Sequence, residues 1–568
     1  MLNDLSIKIA GKGGDGVIFL GDVLAVALKR CGYQVMLVKK YGAAVRGGDA
    51  ACQLRISRRP VEHEGTRVDV LMAFQAETVK ENLRRLKNDG WLVVDDQPES
   101  CPDVSGHPGP VCRLPINRLT NTFGIKSKNI ISLAFLAYVL SMDLSVIRDA
   151  VEQNLTKRGI PLSNLDVFDA AWKEATATVS PAQGLVVGRI DSLDESVLWS
   201  GNEAVVFGAL VSKCRMVAGY PITPATSTLE LFSHILPRLE GFSALVQPED
   251  EMAAIGVVIG MSLTGAKAMT ATSGPGFQLM GELLGYACVT ETPLVLLNVQ
   301  RGGPSTGLPT ATEQSDLFYT IHGRTGDSRL IVLAPTTVTE CFYLTIEAFN
   351  LAERFQTPVI ILSDQYLGIR KESVSRPDTS SIEVTDRVVD TTTNRRFQLT
   401  DSGISPYLAL GRSPRFIVTG LCHNEEGRPD TTPENHQRMS MKLERKFQTL
   451  TTEIDHRQDF VEYRGDPAAD FGIVAWGSST GAVREAVDRL SDLGRPVAAA
   501  FPKILSPLPP QLGDFLKSKK RILVVELNQQ GQLAACLRDQ YLCPTVGLNR
   551  VGESFTPEEV MDRVKEVD

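Results

Sequence analysis

Residues 271–303, "ATSGPGFQLMGELLGYACVTETPLVLLNVQRGG", constrain this chain more than any other stretch. An apolar run ends in "SGPG", a segment of helical spacing follows, and a second apolar run, "PLVLLNVQ", closes the unit. Two buried strands joined through a helix lie parallel, because parallel pairing needs a crossover of about a dozen residues or more. The fold class is therefore α/β, and the same alternation recurs along the chain.

Residues 1–185 read as a first α/β domain. "LSIKIAG" is a strand, "GKGGDG" a tight loop, "VIFLGDVLAVALKRC" a helix, and "YQVMLVKK", "VDVLMAF" and "GWLVVDD" are further strands of an expected parallel sheet. Residues 186–195 read as a linker, and 196–375 as a second doubly wound unit. Residues 376–465 are a polar, irregular arm that ends in a helix. A structureless stretch of this length is usually functional or a contact arm. Residues 466–568 form a third, smaller α/β domain. At roughly 100–200 residues per domain, a 568-residue chain accommodates these blocks, and 43% hydrophobic content gives each a core.

Charge and composition exclude several functions. A net charge of −8 opposes nucleic-acid binding, which wants a basic stripe. The ten cysteines include no CxxC, so reduced thiols are expected and no iron–sulfur cluster on this chain. The seven histidines show no ligand spacing, and no metal site is assigned. The N-terminus has neither the basic nor the apolar region of a signal peptide. The apolar run "IISLAFLAYVLSM", residues 130–142, is shorter than the ~20 residues of a membrane span and reads as a buried helix. A cytoplasmic protein without membrane or nucleic-acid partners is the expectation.

Several short motifs carry chemistry. Gly11, Gly13 and Gly16 match a dinucleotide fingerprint, but the next strand ends in Lys39 and Lys40 instead of the acid that holds a ribose. A tight turn or another phosphate-bearing ligand fits better. "GDG" at 14–16 lacks the asparagine-ended partner of a magnesium motif. Glu249, Asp250 and Glu251 open a helix of small residues. Acids there complement the helix dipole, and one of them is a candidate catalyst. In "AGYPITPAT", Pro221 and Pro224 stiffen a strand-to-helix turn around Thr223, with Tyr220 beside it. Gly274 and Gly276 of Ser273–Gly274–Pro275–Gly276 permit close backbone approach to a ligand, or make an ordinary turn. Arg301 ends a strand, where a guanidinium suits a carboxylate partner or is simply a surface charge.

Taken together, "AGYPITPAT", "EDEMAAIGVVIGMSLTGAKAMTATSGPG" and "LNVQRGGPSTGLPTATEQSDL" resemble the α subunit of 2-oxoacid:ferredoxin oxidoreductases. "IKIAGKGGDGVIFLGDVLAVA" and "YGAAVRGGDA" resemble the γ domain of the same enzymes, so the chain resembles a γ–α fusion. "VTGLCHNEEG" is similar to the 2-oxoglutarate branch. The resemblance implies a thiamine-diphosphate pyrimidine-binding fold, flanked by the γ domain and a transketolase C-terminal-like domain. It implies coenzyme A-dependent oxidative decarboxylation of 2-oxoglutarate with ferredoxin reduction, or the reverse. Pyruvate or branched 2-oxoacids are the alternative substrates, and a non-catalytic partner-binding scaffold is the alternative of another class. The family's residues map onto Glu251 for the cofactor's aminopyrimidine and Arg301 for the substrate carboxylate. Thr223 and Tyr220 map to substrate contact, and Ser273, Gly274, Pro275 and Gly276 to the cofactor. Thiamine diphosphate would be shared with a β subunit that carries Mg²⁺ and a [4Fe-4S] cluster, in an (αβ)₂ assembly.

Overall fold

The computed structural model describes residues 4–42, 48–100, 102–104, 106–124, 127–180, 185–190 and 195–567. The chain divides into two compact units. One runs to Trp199 and includes Arg370–Arg376; the other comprises Ser200–Ile369 and Pro377–Asp568.

The first unit is built on an eight-stranded sheet. Its order is Val111–Leu114, Leu86–Asp95, Val68–Ala73, Asp4–Lys12, Asp49–Ser57, Gln34–Tyr41, Lys371–Val374 and Val197–Ser200. The first four strands are parallel, but Asp49–Ser57 pairs antiparallel with both its neighbours. The sheet is thus mixed, where a parallel one was expected. The reason is the connection: only residues 42–48 separate Gln34–Tyr41 from Asp49–Ser57, too few for a crossover. Cys52, Leu54 and Ile56 face the core on alternate positions of that strand. Residues 43–47 of "YGAAVRGGDA" lie outside the described residues.

Helices Val17–Arg30 and Lys128–Val139 cover this sheet. The second is the apolar run noted above. Among the described residues no helix is long and apolar enough to cross a membrane. The "GKGGDG" loop closes on itself: the Asp15 carboxylate accepts from the Lys12 amide (2.8 Å), Gln75 (2.6 Å) and Lys128 (2.8 Å). Gly16 has φ 76° and abuts Asn129, which a side chain there would strike.

The second unit holds two sheets. The seven-stranded one runs Ile504–Ser506, Ile331–Leu333, Pro358–Asp364, Leu294–Gln300, Ala268–Thr272, Met216–Ala218 and Ala244–Val246. All its pairs are parallel except that of Ile504–Ser506. The strands Ala268–Thr272, Leu294–Gln300 and Pro358–Asp364 are buried at every position, as helices on both faces require. The five-stranded sheet runs Val461–Gly465, Ala498–Pro502, Phe471–Ala475, Arg521–Glu526 and Val546–Asn549, with only the first strand antiparallel.

Residues 377–432 contain one short 3₁₀ turn and isolated bridges before helix Pro433–Asp455. Buried charge holds them. Arg396, fully buried, donates to the Gln356 side chain at 2.8 Å and to the Glu291 carbonyl. Arg387 donates to Glu353 (2.7 Å), the Ser262 carbonyl (2.6 Å) and the Tyr407 hydroxyl (2.9 Å). Lys442 and Lys446 of the helix both pair with Glu291, which they hold down at a pKa of about 2 against the opposing effect of burial.

Candidate active site

Ligands of open α/β sheets bind beyond the carboxyl ends of the strands. Four adjacent parallel strands of the second unit end on one such edge, and each delivers a residue singled out in the sequence. Met216–Ala218 leads into Tyr220–Pro224. Ala244–Val246 leads into the helix Glu251–Leu263. Ala268–Thr272 leads into Ser273–Gly276, and Leu294–Gln300 into Arg301.

The three acids at 249–251 separate by environment. Glu249 is exposed. Asp250 is the N-cap, its carboxylate accepting from the Ala253 amide at 2.7 Å. Glu251, the first residue of the helix, is only 7% exposed. It is packed against the glycine loop: a Cβ on Gly276 would strike the Glu251 carboxylate and the Thr272 hydroxyl. Gly276 is therefore required by close approach, not by its backbone angles. Gly274 differs. A Cβ there would lie 3.7 Å from the Asp316 carboxylate, an ordinary contact.

Arg301 is buried, 6% exposed. Its Nη1 donates to the Thr223 carbonyl at 2.6 Å, and its Nε has no partner. Burial pulls its pKa down, offset by the charges of Asp316 and Glu251. The Thr223 side chain itself is exposed. The turn that carries it is closed by amides of Ala225 (2.8 Å) and Thr226 (3.0 Å) on the Ile222 carbonyl, and Asn202 donates to the Pro224 carbonyl at 2.9 Å. Thr223, Arg301, Glu251 and the 273–276 loop thus form one cluster. Tyr220, 39% exposed, makes no hydrogen bond to it among the described residues.

Sequence reasoning missed two members of this cluster. Asp316, just before helix Leu317–His322, accepts from Asn298 at 2.9 Å. Burial pushes its carboxyl up to about 6, against the Asn298 bond and with a push from Glu313. A polar residue before an apolar helical run is a start signal, so Asp316 was findable as a cap. Asn298 sits inside an apolar strand and gave no signal. The segment around Asp316 is fixed from the five-stranded sheet. Gln314 donates to the Trp476 carbonyl (2.7 Å) and accepts from the Leu527 amide (2.9 Å). Asn528 donates to the Gln314 carbonyl (3.1 Å), and Gln532 accepts from the Phe318 amide (2.9 Å).

The cluster fits a nitrogen heterocycle with a carboxylate-bearing partner. The hydroxyls of Thr272 and Ser273 and the Arg301 Nε are buried without partners, so donors and acceptors wait on the site side of the sheet. Among the described residues no group of three or more His, Cys, Asp or Glu could hold a metal.

Comparison with known proteins identifies the family. Residues 208–442 match the family model "Pyruvate flavodoxin/ferredoxin oxidoreductase, thiamine diP-bdg", and residues 6–174 match "Pyruvate ferredoxin/flavodoxin oxidoreductase". The chain is 37% identical to the 2-oxoglutarate synthase subunit KorA of Methanothermobacter marburgensis, over 66% of this chain and 99% of that one. It is 31% identical to the α subunit of 2-oxoacid:ferredoxin oxidoreductase 2 of Aeropyrum pernix, over 94% and 93% respectively. The solved structure of 2-oxoglutarate:ferredoxin oxidoreductase from Magnetococcus marinus, with 2-oxoglutarate, coenzyme A and succinyl-CoA bound, superposes with a TM-score of 0.92 at 36% identity, covering 100% of both chains. With a thiamine-diphosphate-binding model over the very strands that assemble Thr223, Glu251 and Arg301, the chain belongs to the 2-oxoacid:ferredoxin oxidoreductase family.

Proposed function

We propose that the chain is the γ–α subunit of a 2-oxoglutarate:ferredoxin oxidoreductase. It would catalyse coenzyme A-dependent oxidative decarboxylation of 2-oxoglutarate to succinyl-CoA, or the reverse, in the cytoplasm. The observation that carries this reading is the convergence of a buried Arg301 on one sheet edge with a buried Glu251, which packs against a glycine that leaves room for nothing but hydrogen. Likeness to a chain solved with 2-oxoglutarate and coenzyme A supports the choice of substrate.

The chemistry that thiamine diphosphate supplies when bound is a nucleophilic carbon and an electron sink for decarboxylation. Glu251 would hold a proton at the ring nitrogen of the aminopyrimidine. Ser273, Gly274, Pro275 and Gly276 would line the ring, with the Thr272 and Ser273 hydroxyls as unused polar partners. Arg301 would take the 2-oxoacid carboxylate, its guanidinium held by the Thr223 carbonyl. Thr223 and Tyr220, both exposed at the mouth, would meet the rest of the substrate. In this reading a β subunit carries Mg²⁺ and the [4Fe-4S] cluster. The assembly is (αβ)₂, ferredoxin is the electron partner, and the domains follow 1–185, 196–375 and 466–568 around the 376–465 arm.

The test is viologen or ferredoxin reduction by the chain co-expressed anaerobically with its β subunit, given thiamine diphosphate, Mg²⁺ and coenzyme A. Turnover of 2-oxoglutarate over pyruvate, 2-oxobutyrate and 2-oxoisovalerate is expected. Preference for another of these acids overturns the substrate, and inactivity of the loaded complex overturns the reaction.

A further inference from the structure

Asp316 stands where a helix cap belongs and does not cap. It precedes helix Leu317–His322, yet its side chain bonds no amide of that helix. The Phe318 amide, which a cap could serve, is taken at 2.9 Å by Gln532, the first residue of helix Gln532–Tyr541. The carboxylate is thereby released toward the sheet edge. Its Oδ2 accepts from Asn298 at 2.9 Å, and it lies beside Gly274 of the glycine loop. Its own amide is fixed by the Gln300 side chain at 3.1 Å. Asn298 and Gln300 belong to the strand that ends in Arg301, so one strand positions both the cation and this acid.

We propose, on the functional reading above, that Asp316 is a positioning residue of the 2-oxoacid site. Its negative charge partly neutralises Arg301 and sets how tightly the substrate carboxylate is held. Arg301 bonds only a carbonyl, so no carboxylate is fixed to it by hydrogen bonds among the described residues. Its charge is instead shared at a distance by Asp316 and Glu251. An incoming carboxylate competes with that shared field. The charged or titratable groups acting on Asp316 are Arg301 and Glu313, and Tyr319 senses it in turn; Asn298 and Gln300 are neutral. Burial brings the Asp316 carboxyl to about 6. Below that pH it is neutral and Glu251 alone of the two offsets Arg301. Above it the two offset each other. Substrate affinity therefore falls as pH rises through this region, and the C1 carboxylate of the free 2-oxoacid, ionised throughout, adds no titration of its own.

The experiment uses the full complex with its β subunit, thiamine diphosphate and Mg²⁺. It follows the KM for 2-oxoglutarate, and calorimetric binding of the acid without coenzyme A, from about pH 5 to pH 8. Wild type should weaken by about tenfold across the range, the equivalent of one pKa unit of coupling. Asp316→Asn, which keeps the shape and the contact with Asn298, should hold the acid at the tight, low-pH level throughout. Its kcat should change far less than its KM. Asp316→Ser is the second variant, should the first fold poorly, and should show the same flat profile. If either folded variant reproduces the wild-type slope within about twofold, the role of Asp316 is refuted while the function stands. If wild type turns over no 2-oxoacid, the functional reading fails and takes this one with it.

Discussion

The glycine loop makes a sharp demand that a single methyl group tests. Gly276→Ala places a Cβ inside the contact distance of the Glu251 carboxylate and the Thr272 hydroxyl. Both neighbours are buried, and the helix Glu251–Leu263 behind Glu251 is lined by Ala254, Ile255 and Val258 at 0% exposure. The carboxylate has nowhere cheap to go. Overpacking of this kind costs about 1–3 kcal/mol, roughly several degrees of Tm. The effect on turnover should be larger, because displacing a catalytic group by about 1 Å costs on the order of 10²-fold in rate. Gly274→Ala is the control two residues away. Its Cβ meets Asp316 at 3.7 Å, it has no left-handed φ, and it sits at the start of a helix. It should leave Tm within about a degree, since the added contact is ordinary. The assay pairs differential scanning of the isolated chain with viologen reduction by the β-bound complex. Equal Tm and equal turnover for Gly276→Ala and wild type would refute the packing argument. A Gly274→Ala protein that is stable but inactive would accord with the cofactor ring lying against that backbone.

Other consequences are simpler to check. Glu251→Gln should keep its fold by circular dichroism but lose about 10²–10⁴ in kcat, the usual worth of a positioned proton donor. Arg301→Lys should raise KM by tenfold or more with a smaller change in kcat, because a lysine cannot both hold the Thr223 carbonyl and present a fork to a carboxylate. Glu291→Gln leaves Lys442 and Lys446 buried without their carboxylate. A loss of about 3–5 kcal/mol is expected in denaturant unfolding, with proteolysis beginning in residues 377–432. The Glu291 pKa lies below its ordinary value of 4.5, at about 2. Its contribution is complete above the unfolded value and is lost as pH falls between these limits. Wild type should therefore lose stability across that acid window, and Glu291→Gln should lack this component.

The sequence made much of the sheet edge legible because Thr223, Ser273 and Arg301 lie at or just beyond the ends of apolar runs. Thr223, Ser273 and Arg301 are read at strand ends and Glu251 at a helix start, and parallel topology then brings them together. Spacing alone could not rank three acids in a row; the family resemblance names Glu251, and packing against Gly276 is what separates it physically from its neighbours. The strand Asp49–Ser57 alternates Cys52, Leu54 and Ile56 with Gln53 and Arg55, a readable signal obscured by its short polar lead-in. Asn298 was hidden because a strand interior predicts an apolar residue. Residues 377–432 carry no periodicity because long-range contacts fix them: Arg396 reaches back more than a hundred residues to Glu291, which no local pattern records.

The amide bridges between Gln314, Gln532, Asn528 and the Trp476 carbonyl have an operational consequence. They make the five-stranded sheet a brace for a loop whose own helix is six residues long. Heat or denaturant that loosens residues 521–541 would release Asp316 and slacken the end of the Arg301 loop while the seven-stranded sheet still stands. Enzyme stored under mild stress should thus fade in activity before its circular dichroism changes. Restoring its shelf life would call for mutations in the carboxyl-terminal sheet, far along the sequence from every residue that meets substrate.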